Sequence, residues 1–386
     1  MYAVVTDTNY RMSLALMRDL ADKGIKVIAC YPGQKPPFPA QSKAVTKSFR
    51  VPDVRTRPKD FLDALYKICD WVYRTKAEKP ALLPVGTMSI EQLCKADVRQ
   101  RFDPVCGIAL PTEENLTLAN NKNRVMELCS ELGILAPRTY KPESREDFVS
   151  YEYPLIVKPI CGEKQGLSAE DRYVIARDAK AASDAWEHFC NTCGETIVQQ
   201  YIENGTEVTC SSVADHGKII TMTTEIEKRM LPISGGPGCY YYTDNGDRFR
   251  PSAEKLIKAL DYSGVICCQY IFTEDGRIYL MEINPRVWGY YPIVREADSS
   301  FSYDWYAVSI GKQTIGKDSR PGVYQYYLPS DAYRALLVLK SGKPGSAIGH
   351  AGAWLNPRNH EALFEWKDLK ASLGYISYYL KKGAEK

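Results

Sequence analysis

The stretch GVICCQYIFTEDGRIYLMEINPR, residues 264–286, sets two apolar runs, VICCQYIF and RIYLMEI, either side of Asp275-Gly276. Asp-Gly between such runs is a strong signal for a β-hairpin with a two-residue loop. With Asp275 and Gly276 as the loop, Glu274 pairs with Arg277, and counting back along both strands sets Gln269 opposite Glu282. Opposed side chains on one face stand about 5 Å apart. Asn284 lies two residues past Glu282, so strand alternation sends it the same way. The second strand therefore ends in an acid, an amide and, at Arg286, a guanidinium. Such groups are rarely buried unless something binds them. Oxygen-only donors with few carboxylates suit Mg²⁺, which keeps waters and shares the phosphates of a substrate. Taken alone, the hairpin also reads as an ordinary cross-strand polar pair on a wet face.

The chain around this hairpin has 386 residues, enough for two or three packed units. It is 45% hydrophobic and 25% charged, with no long uninterrupted apolar segment, so neither disorder nor membrane spanning accounts for it. The net charge of +3, with acids and bases interspersed, gives no basic stripe to track a nucleic acid backbone. The first residues, MYAVVTD, lack the basic, apolar and small-residue succession of a secretory signal. The 12 cysteines are scattered through apolar surroundings, as suits buried thiols in a reducing compartment. The expected location is cytoplasmic, with no nucleic acid or membrane partner. A homodimer is the expected assembly, dimers being the commonest closed form.

Working outward, residues 3–6, 12–23 and 26–30 read as a β-α-β unit, and a second follows with a helix over 61–73, a strand over 81–84 and a helix from Ser89. These define a small parallel-sheet domain over 1–113. Residues 116–133 read as one helix closed by Gly133 and Pro137. After it come strands over 154–159, 172–176 and 196–201 with a helix over 179–190, giving an α+β unit over 114–200. Strands over 207–214 and 218–227 then lead to the hairpin, giving a second unit over 201–310. Residues 311–386 form a Tyr- and Gly-rich extension packed on that core.

Lys158 ends the strand YPLIVKP just before ICGEKQGLS, where Gly162 and Gly166 let backbone amides approach phosphate oxygens. No GxxxxGK[ST] sequence is present. Lys122 opens the helix NNKNRVMELC, and VQQYIENGTEV joins a buried strand to a loop and a second strand in the manner of a hinge. The histidines, His188, His216, His350 and His360, form no evident acid-base or metal constellation, and His188 with Cys190 and Cys193 is a weak zinc pattern.

The order and identity of NNKNRVMELCSELGILAPRTY, YPLIVKP, VQQYIENGTEV and the hairpin resemble the ATP-grasp superfamily, most closely its carbamoyl phosphate synthetase-like branch. The resemblance implies mixed α/β and α+β architecture: a small N-terminal pre-ATP-grasp domain followed by an ATP-grasp fold of two α+β subdomains. It implies ATP as substrate and Mg²⁺, or Mn²⁺ in its place, as cofactor. Lys122, Lys158 and Gly166 resemble the phosphate-binding residues, Gln199, Gln200, Tyr201 and Ile202 the hinge that contacts adenine, and Glu207 the acid on the ribose hydroxyls. Gln269, Glu282 and Asn284 resemble the metal ligands. Arg286 resembles the arginine on the transferring phosphoryl group, and Arg229 a basic residue near phosphate or substrate. Gln199 and Asn121 stand where acids are common.

The implied activity is an ATP-dependent carboxylate-amine ligase, acting on a small-molecule carboxylate and amine through an acyl phosphate. Such chemistry needs charge neutralisation and alignment but no side-chain nucleophile. The alternatives are a carbamoyl phosphate synthetase-like or bicarbonate-activating carboxylase, or a nucleotide-binding scaffold without turnover. Tyr240, Tyr241 and Tyr242 read equally as an acceptor pocket or as an aromatic strand.

Overall fold

A computed structural model describes residues 1–160, 167, 173–233, 236–342 and 344–384. The chain begins with β1 (Tyr2–Val5), α1 (Arg11–Asp22), β2 (Lys26–Tyr31), β3 (Val45–Arg50), α2 (Pro58–Lys76), β4 (Ala81–Leu83), α3 (Thr87–Leu93) and α4 (Ala96–Phe102). The four strands form a parallel sheet in the order β3-β2-β1-β4. Its inner strands are almost wholly buried, as expected when helices cover both faces. β3, sequence VTKSFR, had no counterpart in the sequence reading. It is a mostly exposed edge strand, and a polar edge carries no apolar alternation to read.

Next come α5 (Glu113–Asn120) and α6 (Lys122–Glu131) where the sequence suggested one continuous helix. Asn121 breaks the run: its backbone is extended, and its side-chain oxygen accepts from Arg124 N at 3.1 Å as a cap for α6. The break makes Lys122 the first residue of α6. β5 (Thr139–Tyr140), β6 (Leu155–Pro159), β7 (Val174–Ala176), α7 (Ala179–Cys193) and β8 (Thr196–Gln200) follow. They build an antiparallel sheet in the order β5-β8-β6-β7, on which Phe189 and Ala182 of α7 pack against Leu155, Val157 and Val198. The glycine loop, with Gly162 and Gly166, and the strand start at Arg172 lie outside the described residues.

The chain then forms β9 (Thr206–Asp215), β10 (Lys218–Met230), β11 (Gly238–Asp244), α8 (Arg250–Ala259), β12 (Gly264–Phe272) and β13 (Ile278–Asn284). It ends with α9 (Ile293–Glu296), α10 (Phe301–Ser309), β14 (Tyr324–Tyr326), α11 (Leu328–Lys340), α12 (Pro344–Leu355), β15 (Asn359–Glu361) and α13 (Leu369–Ala384). One seven-stranded sheet runs β13-β12-β9-β10-β11-β14-β15, so the C-terminal segment extends the sheet by two strands. One sheet face, with Cys210, Ile266, Cys268 and Leu280, packs on α6 and α8. The other, with Val213, Val265, Cys267 and Tyr241, shares a core with Trp288, Phe301, Trp305 and the apolar residues of β1 and α1. Gly264 seats β12 against the N-terminal domain: its φ is +98°, and a Cβ there would stand 2.4 Å from Ala109 O.

The hairpin turns differently from the two-residue loop expected. Thr273 N donates to Arg277 O at 3.0 Å, leaving Glu274, Asp275 and Gly276 as a three-residue loop, with Gly276 at φ +86°. Phe272, Ile271 and Tyr270 therefore face Ile278, Tyr279 and Leu280. Continued unbroken, that register would set Glu282 opposite Cys268, on the face packed against α6 and α8. A bulge intervenes: the next pair is Gln269 with Glu282, then Cys268 with Ile283 and Cys267 with Asn284. Met281 is the extra residue. The expected Gln269-Glu282 pairing is present, but through a longer loop and a compensating bulge.

Candidate active site

The sheet register lines up a polar row across five strands. Glu282 faces Gln269, Gln269 faces Thr209, Thr209 faces Glu225, and Glu225 faces Thr243. Strand alternation adds Asn284, Glu207 and Glu227 to the same face. At the β13 end, Asn284 Nδ2 donates to Gln269 Oε1 at 3.2 Å and to Glu282 Oε1 at 2.9 Å. Lys122 Nζ reaches across from α6 to within 2.8 Å of Glu282 Oε2, both side chains being one quarter exposed.

These charges set one another. Burial works against the carboxylate of Glu282, but Lys122 and Lys158, with hydrogen bonds from Lys122 and Asn284, hold it well below the usual range. Burial, and then the neighbouring Lys122, push Lys158 down to about 8, with Glu282 and Glu207 opposing. Burial and then Glu282 raise Glu207, and Lys158 partly offsets them. The result is a pocket where one ionised acid balances two lysines. Phosphate charge entering it would stabilise both ammonium groups.

Gln269, Glu282 and Asn284 offer only oxygen and amide groups, and half a turn of the Asn284 amide would bring its Oδ1 to the same point. Among the described residues no group of three or more His, Cys, Asp or Glu could hold a metal. A cation on this trio needs further ligands from a substrate or water, as Mg²⁺ does with phosphates. Arg286 follows directly: its backbone N donates to Asn284 O at 2.8 Å and its Nη1 to Val287 O at 3.2 Å.

At the hinge, Gln199 is buried, with Nε2 donating to Thr139 Oγ1 at 3.1 Å and Oε1 left without a partner among the described residues. Gln200 N donates to Arg138 O at 2.8 Å and Tyr201 N to Pro154 O at 3.0 Å, fixing the strand exit that leads to the buried Ile202. Gly166 lies outside the described residues.

Arg229 sits apart from the trio. Its Nε and Nη2 grip the two carboxylate oxygens of Asp331 at 2.8 and 2.6 Å, and its guanidinium lies 4.1 Å from the Tyr240 ring centroid. Asp331, on α11, is fully buried and also accepts from Trp354 Nε1 at 2.8 Å, with His350 Nδ1 3.0 Å from its Oδ1. Arg229 thereby ties β10 to the helical pair α11 and α12. Sequence reasoning did not single out Asp331, since nothing local marks an acid 102 residues downstream as its partner. Nor did it single out Glu225 and Glu227, whose alternation on β10 was the available signal.

Against this geometry, residues 119–290 match the ATP-grasp domain family model. The match makes residues 119–290 an ATP-grasp domain, less than half of the chain. It is 26% identical over 199 residues to the chloroplastic arginine-specific carbamoyl phosphate synthase large chain of Oryza sativa, covering 48% of this chain and 16% of that protein. The chain thus spans a small part of that relative's length. Among solved structures, the biotin carboxylase domain of the Hydrogenobacter thermophilus 2-oxoglutarate carboxylase, in complex with MgADP and bicarbonate, superposes with a TM-score of 0.61 at 17% identity, over 83% of this chain and 73% of that one. The L-amino acid ligase of Bacillus licheniformis gives 0.59 at 14% identity, over 84% and 78%. At these identities the structural likeness is one of fold: a small N-terminal parallel sheet followed by the mixed α/β ATP-grasp architecture. Among the described residues no helix is long and apolar enough to cross a membrane.

Proposed function

We propose that the chain is an ATP-dependent ligase that joins a small-molecule carboxylate to an amine through an acyl phosphate, releasing ADP and phosphate. The observation that carries this reading is the convergence of Gln269, Glu282 and Asn284 on one sheet face, with Lys122 2.8 Å from Glu282. In this reading Lys122 and Lys158 hold the ATP phosphates, and Glu207 accepts from the ribose hydroxyls. The hinge 199–202 takes adenine, with Gln199 Oε1, unpartnered among the described residues, available to the exocyclic amine. Gln269, Glu282 and Asn284 would hold Mg²⁺, which when bound neutralises phosphate charge and polarises the transferring group. Arg286, just past the trio, stabilises the phosphoryl oxygens as charge shifts onto them. Members of the same superfamily that are named as an amino acid ligase and as a carboxylase solved with MgADP lend support to both the nucleotide and the reaction class.

The bicarbonate complex of the carboxylase neighbour keeps a carboxylation reading in play. ADP and phosphate release, measured with ATP, Mg²⁺ and pooled carboxylates and amines, separates the two. Dependence on both substrate pools is the expected result. ADP release with bicarbonate alone selects the carboxylase reading, and absence of nucleotide binding by calorimetry defeats both. Repeating the assay with Mn²⁺ tests whether it substitutes for Mg²⁺.

A further inference from the structure

The helices that follow β14 carry an outer surface unlike that of the rest of the chain. More than half of the large apolar side chains exposed among the described residues fall between Tyr333 and Leu380. α12, sequence PGSAIGHAGAWL, contains no Lys, Arg, Asp or Glu, and its one titratable side chain, His350, is buried with Nδ1 3.0 Å from Asp331 Oδ1. A helix so apolar is ordinarily covered by the rest of the protein. Here Ile348 and Leu355, two turns apart, stand 71% and 83% exposed.

The neighbouring helices repeat the pattern. α11 packs against both α12 and α13 and turns Tyr333, Leu336 and Leu339 outward. On α13, Leu369, Leu373 and Leu380 are all exposed and share an arc of about 40° around the helix. Trp366, just before that helix, is 79% exposed. The opposite face is fixed in place: Tyr375 is fully buried with its ring centroid 6.0 Å from that of Phe38, and Asp368 pairs with the buried Arg18 at 2.9 Å. Turning the leucines inward would break both contacts.

Charge identifies what covers this surface. Between Leu328 and Lys381 the acids Asp331 and Asp368 are buried, and Glu361 and Glu365 are half-buried. Every exposed charged side chain described there is basic: Lys340, Arg358, Lys367, Lys370 and Lys381. A second copy docking through the same face would set lysine against lysine about a two-fold axis. An anionic lipid surface meets both features, taking the aliphatic side chains among its acyl chains and the lysines at its headgroups, where exposed Trp and Tyr also sit well. We infer that α11, α12 and α13 form a peripheral membrane-docking surface that lies in the headgroup region of an anionic bilayer. No spanning segment is needed for this, and α12, at 12 residues, is too short for one. The apolar residues come at helical spacing rather than in one long run, so the sequence reading expects no membrane partner here.

The test is flotation of the full chain with liposomes of phosphatidylcholine alone and of phosphatidylcholine mixed with phosphatidylglycerol, beside its mass by light scattering without lipid. The protein should bind the anionic liposomes about tenfold or more tightly than the neutral ones, and lose that margin in high salt. Lys367→Gln combined with Lys370→Gln should weaken anionic binding by about 30-fold. Ile348→Ser combined with Leu355→Ser should weaken it at least as much, by removing the side chains that enter the acyl region. All four side chains are exposed, so the thermal midpoint of each double variant should match that of the wild type. Absence of flotation with anionic liposomes, equal flotation with neutral ones, or double variants that float like the wild type overturns the inference. So does a dimer in lipid-free solution that Ile348→Ser with Leu355→Ser dissociates.

Discussion

Lys122 Nζ lies 2.8 Å from Glu282 Oε2, joining the first residue of α6 to the bulged end of β13. The pair exists because Asn121 breaks the preceding helix and because Met281 bulges out of the hairpin. With either device missing, the lysine or the acid would face elsewhere.

Glu282→Gln keeps the shape of the side chain and removes its charge. ADP release should fall by about 100-fold or more, the usual loss when a group that organises developing phosphate charge is neutralised. The fold should stay intact with a modest drop in thermal midpoint, because Lys122 and Lys158 lose the acid that offsets them. Wild-type turnover in this variant would remove Glu282 from the metal site.

Lys158 titrates near 8 in the folded chain, below the ordinary lysine value of 10.5. Between those two values the unfolded chain binds the extra proton, so this group makes stability rise with pH across that window. Phosphate binding needs the charged form. Nucleotide added at pH 8 to 9 should therefore draw a proton onto Lys158, seen as a binding enthalpy that depends on the ionisation enthalpy of the buffer. Lys158→Met should abolish that dependence, and its persistence there would assign the proton to another group.

Asp331→Ala strands Arg229 beside an empty site that Trp354 and His350 also lose. Removing one member of a buried ion pair typically costs about 3 to 5 kcal/mol. The denaturant midpoint should drop accordingly, with α11 and α12 losing amide-exchange protection first. A variant within about 1 kcal/mol of wild type would show that the pair only balances its own desolvation.

Gly238→Ala places a Cβ 2.8 Å from Tyr290 Oη and 3.0 Å from Glu227 Oε2. Tyr290 must move off Glu227, so a buried hydrogen bond is lost and stability should fall by about 1 to 3 kcal/mol. The denaturant midpoint reads the loss, and a wild-type midpoint would show that the pair contributes nothing net.

Much of the candidate site was legible because its signals are local. Alternation in YLMEINP puts Glu282 and Asn284 on one face whatever the loop, and Asp-Gly marks the turn. The two-residue count reached the right partner for Glu282 only because the extra loop residue and the Met281 bulge cancel. The polar edge strand β3 left no trace, as exposed edges have no apolar period.

The sequence by itself determined the β-α-β start, the hairpin and the shared face of Glu282 and Asn284, since strand and helix periods act over a few residues, while Lys122 and Lys158 stood out only through the family resemblance. Tertiary structure alone decided that Arg229 belongs to Asp331 and that Glu227 meets Tyr290. Those outcomes depend on which distant segments the packed sheet and its core bring together, and burial sets the cost of each charge only after they meet.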